Sequence, residues 1–368
     1  MDIYGMQTES MENPIGIDDV SPSFSWKLQS DCRGVVQKNY QIKVAKDENL
    51  TDKVWDSGKV SSADTSNIEY SGSALSPSTR YYWNVTAEDG NGNAYTSETA
   101  HFETGLMGTN GSVWSGAQWI GSPNEAVNVV NVRKAFDVSK TIKSARLYSS
   151  AKGFYNAYIN GEKVNDDFYN PGFTDYRLRI EYQTYDITDK IKSGQNVIGA
   201  MVGKGYYTGY VGYNKNPQIY GTKNYFIGKL VIEYTDGTNT TIVTDNSWQF
   251  TADGPIVDSD YQMGETYDTR KEFDWNDMND TRWGACGTSA WDTSVKPTNG
   301  SLSGVSFQMS ARKDEGARVE RIIEPELTYV EKPTGAFIYD FGQNMVGTVR
   351  LTLKGEAGQK IKMRYGEM

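Results

Sequence analysis

The residues best suited to chemistry fall in and just after the stretch from Asn160 to Tyr213. Asn165, Asp166, Asp167 and Asn170 crowd oxygen donors into one turn, and Asn214 and Pro217 follow in a second. A hard cation such as Ca²⁺ takes about six to eight oxygens from carboxylates, amides and backbone carbonyls, so these five candidates (Asp166, Asp167, Asn170, Asn214 and Pro217) suit one. The plainer alternative is turn chemistry, since Asn and Asp populate turns without any ion. Tyr206 and Tyr213 add flat aromatic faces of the kind that pack on the C–H face of a sugar ring. Further on, Glu265, Asp268 and Arg270 in GETYDTR can hydrogen-bond hydroxyl groups or form a buried ion pair that fixes their loop.

Other chemistries find no support. No carboxylate pair stands out as acid and nucleophile, and no catalytic residue is assigned. There is no zinc-ligand spacing, no GxSxG and no phosphate loop. Gly203-Lys204-Gly205 follows an apolar strand, but Tyr-Tyr-Thr-Gly-Tyr after it is no helix start, and the glycines read as strand and turn. The one histidine, His101, reads as a strand residue. A net charge of −10, from 47 acidic and 37 basic residues, argues against nucleic acid and against a polybasic membrane contact. Cys32 and Cys286 lie in different predicted domains, so no disulfide framework is expected. The N-terminus has neither a basic n-region nor an apolar h-region. Cytoplasmic placement is expected, or secretion were a leader already removed.

The elements that must position these residues are strands. No segment keeps a 3.6-residue period over the roughly ten residues a helix needs. The reading is all-β, with serial β-sandwiches. Residues 1–105 suit a fibronectin type III-like sandwich, in which Leu75, Pro77, Thr79, Tyr81, Trp83 and Val85 alternate toward the core and Tyr81 takes the tyrosine-corner place. Leu106 to Gly116 reads as a linker. Residues 117–297 suit a jelly-roll, with two-residue hairpin turns at Asn160-Gly161 and Asp236-Gly237. In Arg179–Asp186, Ile180, Tyr182 and Thr184 should face one way and Glu181, Gln183 and Tyr185 the other. Residues 298–368 begin a third sandwich that is too short to close, with strands in TVRLTLKG and KIKMRYGEM. Its apolar row Val349, Leu351 and Leu353 would be uncovered, so this unit is expected either to dock on the second domain or to build a homodimer through edge strands.

Three motifs also carry a resemblance. NPGFTDYRLRIEYQTYDIT (Asn170 to Thr188), GETYDTR (Gly264 to Arg270) and YDFGQNMVGTVRL (Tyr339 to Leu351) stand in the order seen in bacterial α-L-rhamnosidases of glycoside hydrolase family 78, and resemble their N-terminal, non-catalytic part. The resemblance implies that the last unit opens a concanavalin-like sandwich and that the catalytic helical barrel follows the last motif. This chain alone is then expected to be inactive. The parent enzyme would remove terminal α-L-rhamnose by inversion, and the barrel would be this segment's partner. The resemblance further implies that the second domain is similar to a rhamnose-binding module. In such a module Ca²⁺ lies between two loops and meets the sugar hydroxyls, with Asp166 or Asp167 as acidic ligand and Asn214 to Pro217 as the second loop. Tyr206 stands where these enzymes tend to carry Trp. Asp340-Phe341-Gly342-Gln343-Asn344 would lie near the barrel or serve as a plain turn. The rival expectation is a scaffold that binds nothing.

Overall fold

The strand Arg80–Asp89 anchors the first sandwich, with Tyr81, Trp83, Val85 and Ala87 buried and the residues between them half-buried. Leu75 is buried too, but Pro77 is exposed and Thr79 half-buried. The chain turns through Ser78 at φ 50° before the strand begins, so the inward row starts at Tyr81 and Pro77 is not part of it. The Tyr81 hydroxyl accepts a hydrogen bond from the Ser76 N–H at 2.8 Å and so pins the incoming corner. Tyr81→Phe should cost about 1 kcal/mol, the net worth of one such bond. A chemical-denaturation midpoint equal to that of the parent chain would show that the corner bond holds nothing.

The computed structural model describes residues 1–292, 305–331 and 334–366. In the first sandwich one sheet runs Asp2–Thr8, Ser23–Gln29, Ile68–Glu69. The other runs Ile15–Ile17, Ala100–Thr104, Arg80–Asp89, Gln37–Ala45, Lys53–Asp56, with Ala94–Thr96 beside Arg80–Asp89. Phe24, Trp26, Ile42, Val44, Trp83 and Phe102 fill the space between them.

The second sandwich faces two larger sheets. One orders Glu162–Lys163, Phe154–Ile159, Gly194–Gly203, Val130–Val138, Gln249–Thr251 and Gly284–Ala285. The other orders Gly287–Ser289, Trp119–Gly121, Tyr225–Tyr234, Ile142–Lys152, Arg179–Asp186 and Gln308–Ala311, with Asn239–Val243 on Tyr225–Tyr234. Asn160 (φ 53°) and Gly161 (φ 87°) form the expected two-residue turn between Ile159 and Glu162. The Asp236-Gly237 hairpin is one residue longer than expected. Tyr234 N–H bonds Thr238 O, and only Gly237 (φ 83°) of the pair is left-handed, which is the three-residue turn with a bulge.

Arg179–Asp186 keeps the predicted alternation, but both of its faces are covered. Tyr185 joins the inter-sheet core, while Ile180 and Tyr182 join a second cluster on the outer side with Leu106, Trp114, Trp119, Tyr207, Phe307 and Met309. The stretch expected to be a linker is thus part of the packing. Trp114 ends a 3₁₀ turn, Gly111–Trp114, and is wholly buried edge-on to Tyr182 at 5.5 Å. Its large apolar surface outweighs the Gly/Ser character of its neighbours. Lys152 is buried in the same cluster, its ammonium 4.8 Å from the Trp119 ring centre, 5.0 Å from Phe307 and 5.7 Å from Tyr207.

The boundary expected at 298 lies outside the described residues. Beyond it, Gln308–Ala311 pairs in parallel with Arg179–Tyr182 and so belongs to the second sandwich instead of a third. The two sandwiches are joined by polar contacts of unusual density. Asp18 accepts from Tyr182 Oη (2.6 Å), Met107 N–H (2.8 Å) and Ala311 N–H (2.8 Å). Buried Glu103 receives Arg146 through both of its carboxylate oxygens at 2.6 and 3.0 Å, and Arg80 at 3.2 Å. Gly16 (φ 84°) lies so close to Thr184 that a β-carbon there would overlap the threonine side chain.

Among its described residues the second unit, Ala317–Met368, contains one hairpin, Leu327–Val330 with Phe337–Asp340. The strands expected in Thr348–Gly355 and from Lys360 are not formed among the described residues. A strand needs neighbours to take its backbone bonds, and none pairs with these segments. Val349, Leu351 and Leu353 are exposed, as the sequence anticipates for an uncovered row. Asp340 ends the hairpin in a turn, its carboxylate accepting from Gly342 N–H at 2.9 Å.

Candidate binding surface

Five aromatic rings gather at one end of the second sandwich. Phe154 opens the strand Phe154–Ile159, Tyr206 lies on the helical turn Gly205–Thr208, Tyr169 and Phe173 come from the loop after Glu162–Lys163, and Tyr261 follows Ile256–Asp260. The Gly205–Thr208 turn replaces the plain strand-and-turn expected there. Tyr206 is the hub, with ring centres 4.9 Å from Phe154, 4.7 Å from Phe173 and 5.2 Å from Tyr261. Tyr169 closes the group at 5.4 Å from Phe154 and 5.8 Å from Tyr261. Tyr169, Phe173 and Tyr261 are largely exposed. Partial burial, then the neighbouring Tyr261 hydroxyl, push the Tyr206 phenol up to about 12, so it is a neutral hydrogen-bonding group at ordinary pH.

The rings are held from beneath. Buried Asp260 accepts from Tyr210 N–H at 3.0 Å, Gln262 N–H at 2.8 Å and Met263 N–H at 3.0 Å, which fixes the turn bearing Tyr261. Lys204 pairs with Asp258 at 2.6 Å beside it. Exposed rings on a rigid frame offer apolar faces without an ordering cost on binding.

The other sequence candidates are distributed differently. Tyr213 and Asn214 are fully open at the tip of the hairpin Tyr210–Val211/Asn216–Pro217, which also carries the exposed Pro217, and Tyr213 is no part of the ring cluster. Arg270 bonds Asp268 through both of its carboxylate oxygens at 2.8 and 2.7 Å and holds that carboxyl down to about 2. Of the two roles open to this pair, the geometry displays an ion pair, but a local and solvent-facing one. Glu265 lies opposite Ser259, and desolvation raises its carboxyl despite a bond with that serine. Phe154, Tyr169, Phe173 and Tyr261 were not marked by sequence pattern. Their one common signal is an aromatic residue at the edge of a turn.

The calcium candidates do not fit an ion as they stand. Asp167 and Asn170 are buried, and Arg312 Nη1 donates to both, at 2.9 Å to Asp167 Oδ2 and 3.0 Å to Asn170 Oδ1. A guanidinium already sits between the oxygens that a cation would use. Asp166 is exposed on the same loop. Among the described residues no group of three or more His, Cys, Asp or Glu converges to hold a metal.

The described residues thus form serial β-sandwiches, the second of which carries a cluster of exposed aromatic rings at one end. Residues 3–108 match the Rha78A-like N-terminal immunoglobulin domain, 140–303 the alpha-L-rhamnosidase N-terminal domain, and 330–368 the bacterial alpha-L-rhamnosidase concanavalin-like domain. The chain belongs to the α-L-rhamnosidase family and corresponds to the N-terminal region of its members. An alpha-L-rhamnosidase of Formosa agariphila is 33% identical over 98% of this chain, which spans only 39% of that relative. The structure of the α-L-rhamnosidase from Dictyoglumus thermophilum superposes with a TM-score of 0.80 at 31% identity, over 94% of this chain and 39% of that one. The Streptomyces avermitilis enzyme, solved with L-rhamnose, shares the fold at a TM-score of 0.83 and 24% identity, over 94% of this chain and 49% of that one.

Proposed function

We propose that this chain is the substrate-capturing accessory region of an α-L-rhamnosidase, and that the Phe154, Tyr169, Phe173, Tyr206 and Tyr261 surface takes the C–H face of a rhamnose residue. The observation that carries the reading is the exposed ring cluster around Tyr206. A deoxy sugar with an apolar methyl group suits a surface with several exposed rings and few charges. Hydrolysis of terminal α-L-rhamnosides is assigned to the portion of the relatives that these residues do not span.

Calorimetric titration with L-rhamnose or methyl α-L-rhamnoside tests it. A monosaccharide offers few atoms, so Kd should fall between about 10 µM and a few millimolar. Tyr206→Ala should weaken binding by roughly fivefold, as expected for loss of one ring contact worth about 1 kcal/mol. Heat of binding that is the same in the parent chain and in Tyr206→Ala removes the site from this surface. No heat at all with an intact fold favours a scaffold, a reading supported by the dense Asp18 and Glu103 junction.

A further inference from the structure

The loop that presents Tyr169 is held by a residue 145 positions from Asp167 in sequence. Tyr169 has φ 61°, a left-handed conformation that a bulky side chain adopts only when its surroundings impose it. The residues around it are gripped by Arg312, through Asp167 on one side and Asn170 on the other. Asn170 continues inward. Its amide donates to Tyr185 Oη at 3.1 Å, and that hydroxyl lies 3.2 Å from Tyr155 Oη, which bonds Gln183 at 2.8 Å. Arg312 is itself fixed. Its backbone N–H bonds Tyr182 O at 3.0 Å, its Nε donates to Asp314 at 2.7 Å, and Gly316 (φ 74°) approaches so closely that a β-carbon there would overlap the guanidinium. Burial disfavours the charged guanidinium, but the bonds to Asp314 and Asp167 outweigh it and raise its pKa, so the charge is permanent.

We infer that Arg312 is a built-in cation for the Asp167–Asn170 loop: it supplies the positive charge that orders this loop, sets the strained backbone at Tyr169, and makes the surface independent of divalent metal. The arrangement is economical in physical terms. A planar fork reaches two oxygens on separate residues, as a metal would, yet its attachment to the strand Gln308–Ala311 means that it cannot be chelated away. The inference does not depend on which ligand the rings accept.

Thermal unfolding of the full chain in EDTA and in millimolar Ca²⁺ tests it, with Arg312→Ala, Arg312→Lys and Asp167→Asn alongside. The parent chain should melt at the same temperature in both solutions. Arg312→Ala should melt several degrees lower in EDTA and regain part of the loss in Ca²⁺, because removal of the guanidinium leaves room for an ion beside Asp167 Oδ2 and Asn170 Oδ1. Arg312→Lys should fall between the two. A parent chain whose midpoint rises with Ca²⁺, in a way that Asp167→Asn abolishes, would overturn the inference. So would an Arg312→Ala protein as stable as the parent in EDTA. Should Arg312→Ala not fold, the parent and Asp167→Asn still decide the calcium response, and Arg312→Lys the need for charge.

Discussion

Lys152→Met should stabilise the protein, most at pH 6 and progressively less toward pH 9. Lys152 is wholly buried, and desolvation brings its ammonium from 10.5 down to about 7, with Asp292 pulling in the opposite direction. The unfolded chain therefore holds a proton that the folded chain sheds across that interval. Stability gains from this group as pH rises through it, by up to about 1.4 kcal/mol per pH unit, and the deficit is complete below pH 7. The three surrounding rings recover part of it, roughly 0.5–2 kcal/mol for a cation over aromatic faces. Methionine has a similar length and no charge, so it keeps the packing of Trp119, Tyr207 and Phe307 and removes the pH-dependent cost. Denaturant midpoints of both proteins at pH 6 and pH 9 check this. An equal difference at the two values would mean that the ammonium is not the source of the deficit.

Asp18→Ala should be among the most damaging single substitutions in the first unit. Its carboxylate accepts from two backbone N–H groups and one phenol, and those donors come from the Leu106–Gly116 stretch, the strand Arg179–Asp186 of the second sandwich and the strand at 308–311. Each donor left without an acceptor costs about 1–3 kcal/mol, which suggests a loss of roughly 3–9 kcal/mol for the three. Asp18→Asn retains one acceptor oxygen but turns an amide toward a donor, and should fall midway. Limited proteolysis within Leu106–Gly116 should accelerate in Asp18→Ala along with the drop in melting temperature. A loss below about 1 kcal/mol would show that water replaces the carboxylate without penalty.

What the sequence reveals here follows the range of the interactions. Tyr81, Trp83 and Val85 were legible because strand alternation is local, and Asn160-Gly161 because a two-residue turn declares itself by its own φ requirements. Asp236-Gly237 was legible as a turn but not in its length, which depends on how Tyr234 and Thr238 pair. Pattern alone could not reveal that Trp114 is buried or that Gln308–Ala311 adds a parallel strand, because the surfaces that receive them are assembled from distant segments. At the candidate surface Tyr206 was marked, whereas Tyr169, Phe173 and Tyr261 become neighbours only when three loops converge. Asp167 and Asn170 stand out in sequence as oxygen donors suited either to a cation or to a turn. The positive charge that they meet, Arg312, lies far outside any local window.

The junction through Asp18, Glu103 and Gly16 has a hydrodynamic consequence. Tandem β-domains joined by a flexible tether reorient independently, and their amide relaxation rates then differ from one domain to the next. Here the peptide between the sandwiches is itself packed, and hydrogen bonds and ion pairs bridge them on both sides. Residues 1–292 and 305–311 should therefore tumble with a single rotational correlation time, and a force applied at the first sandwich would reach the ring-bearing end of the second without an intervening hinge.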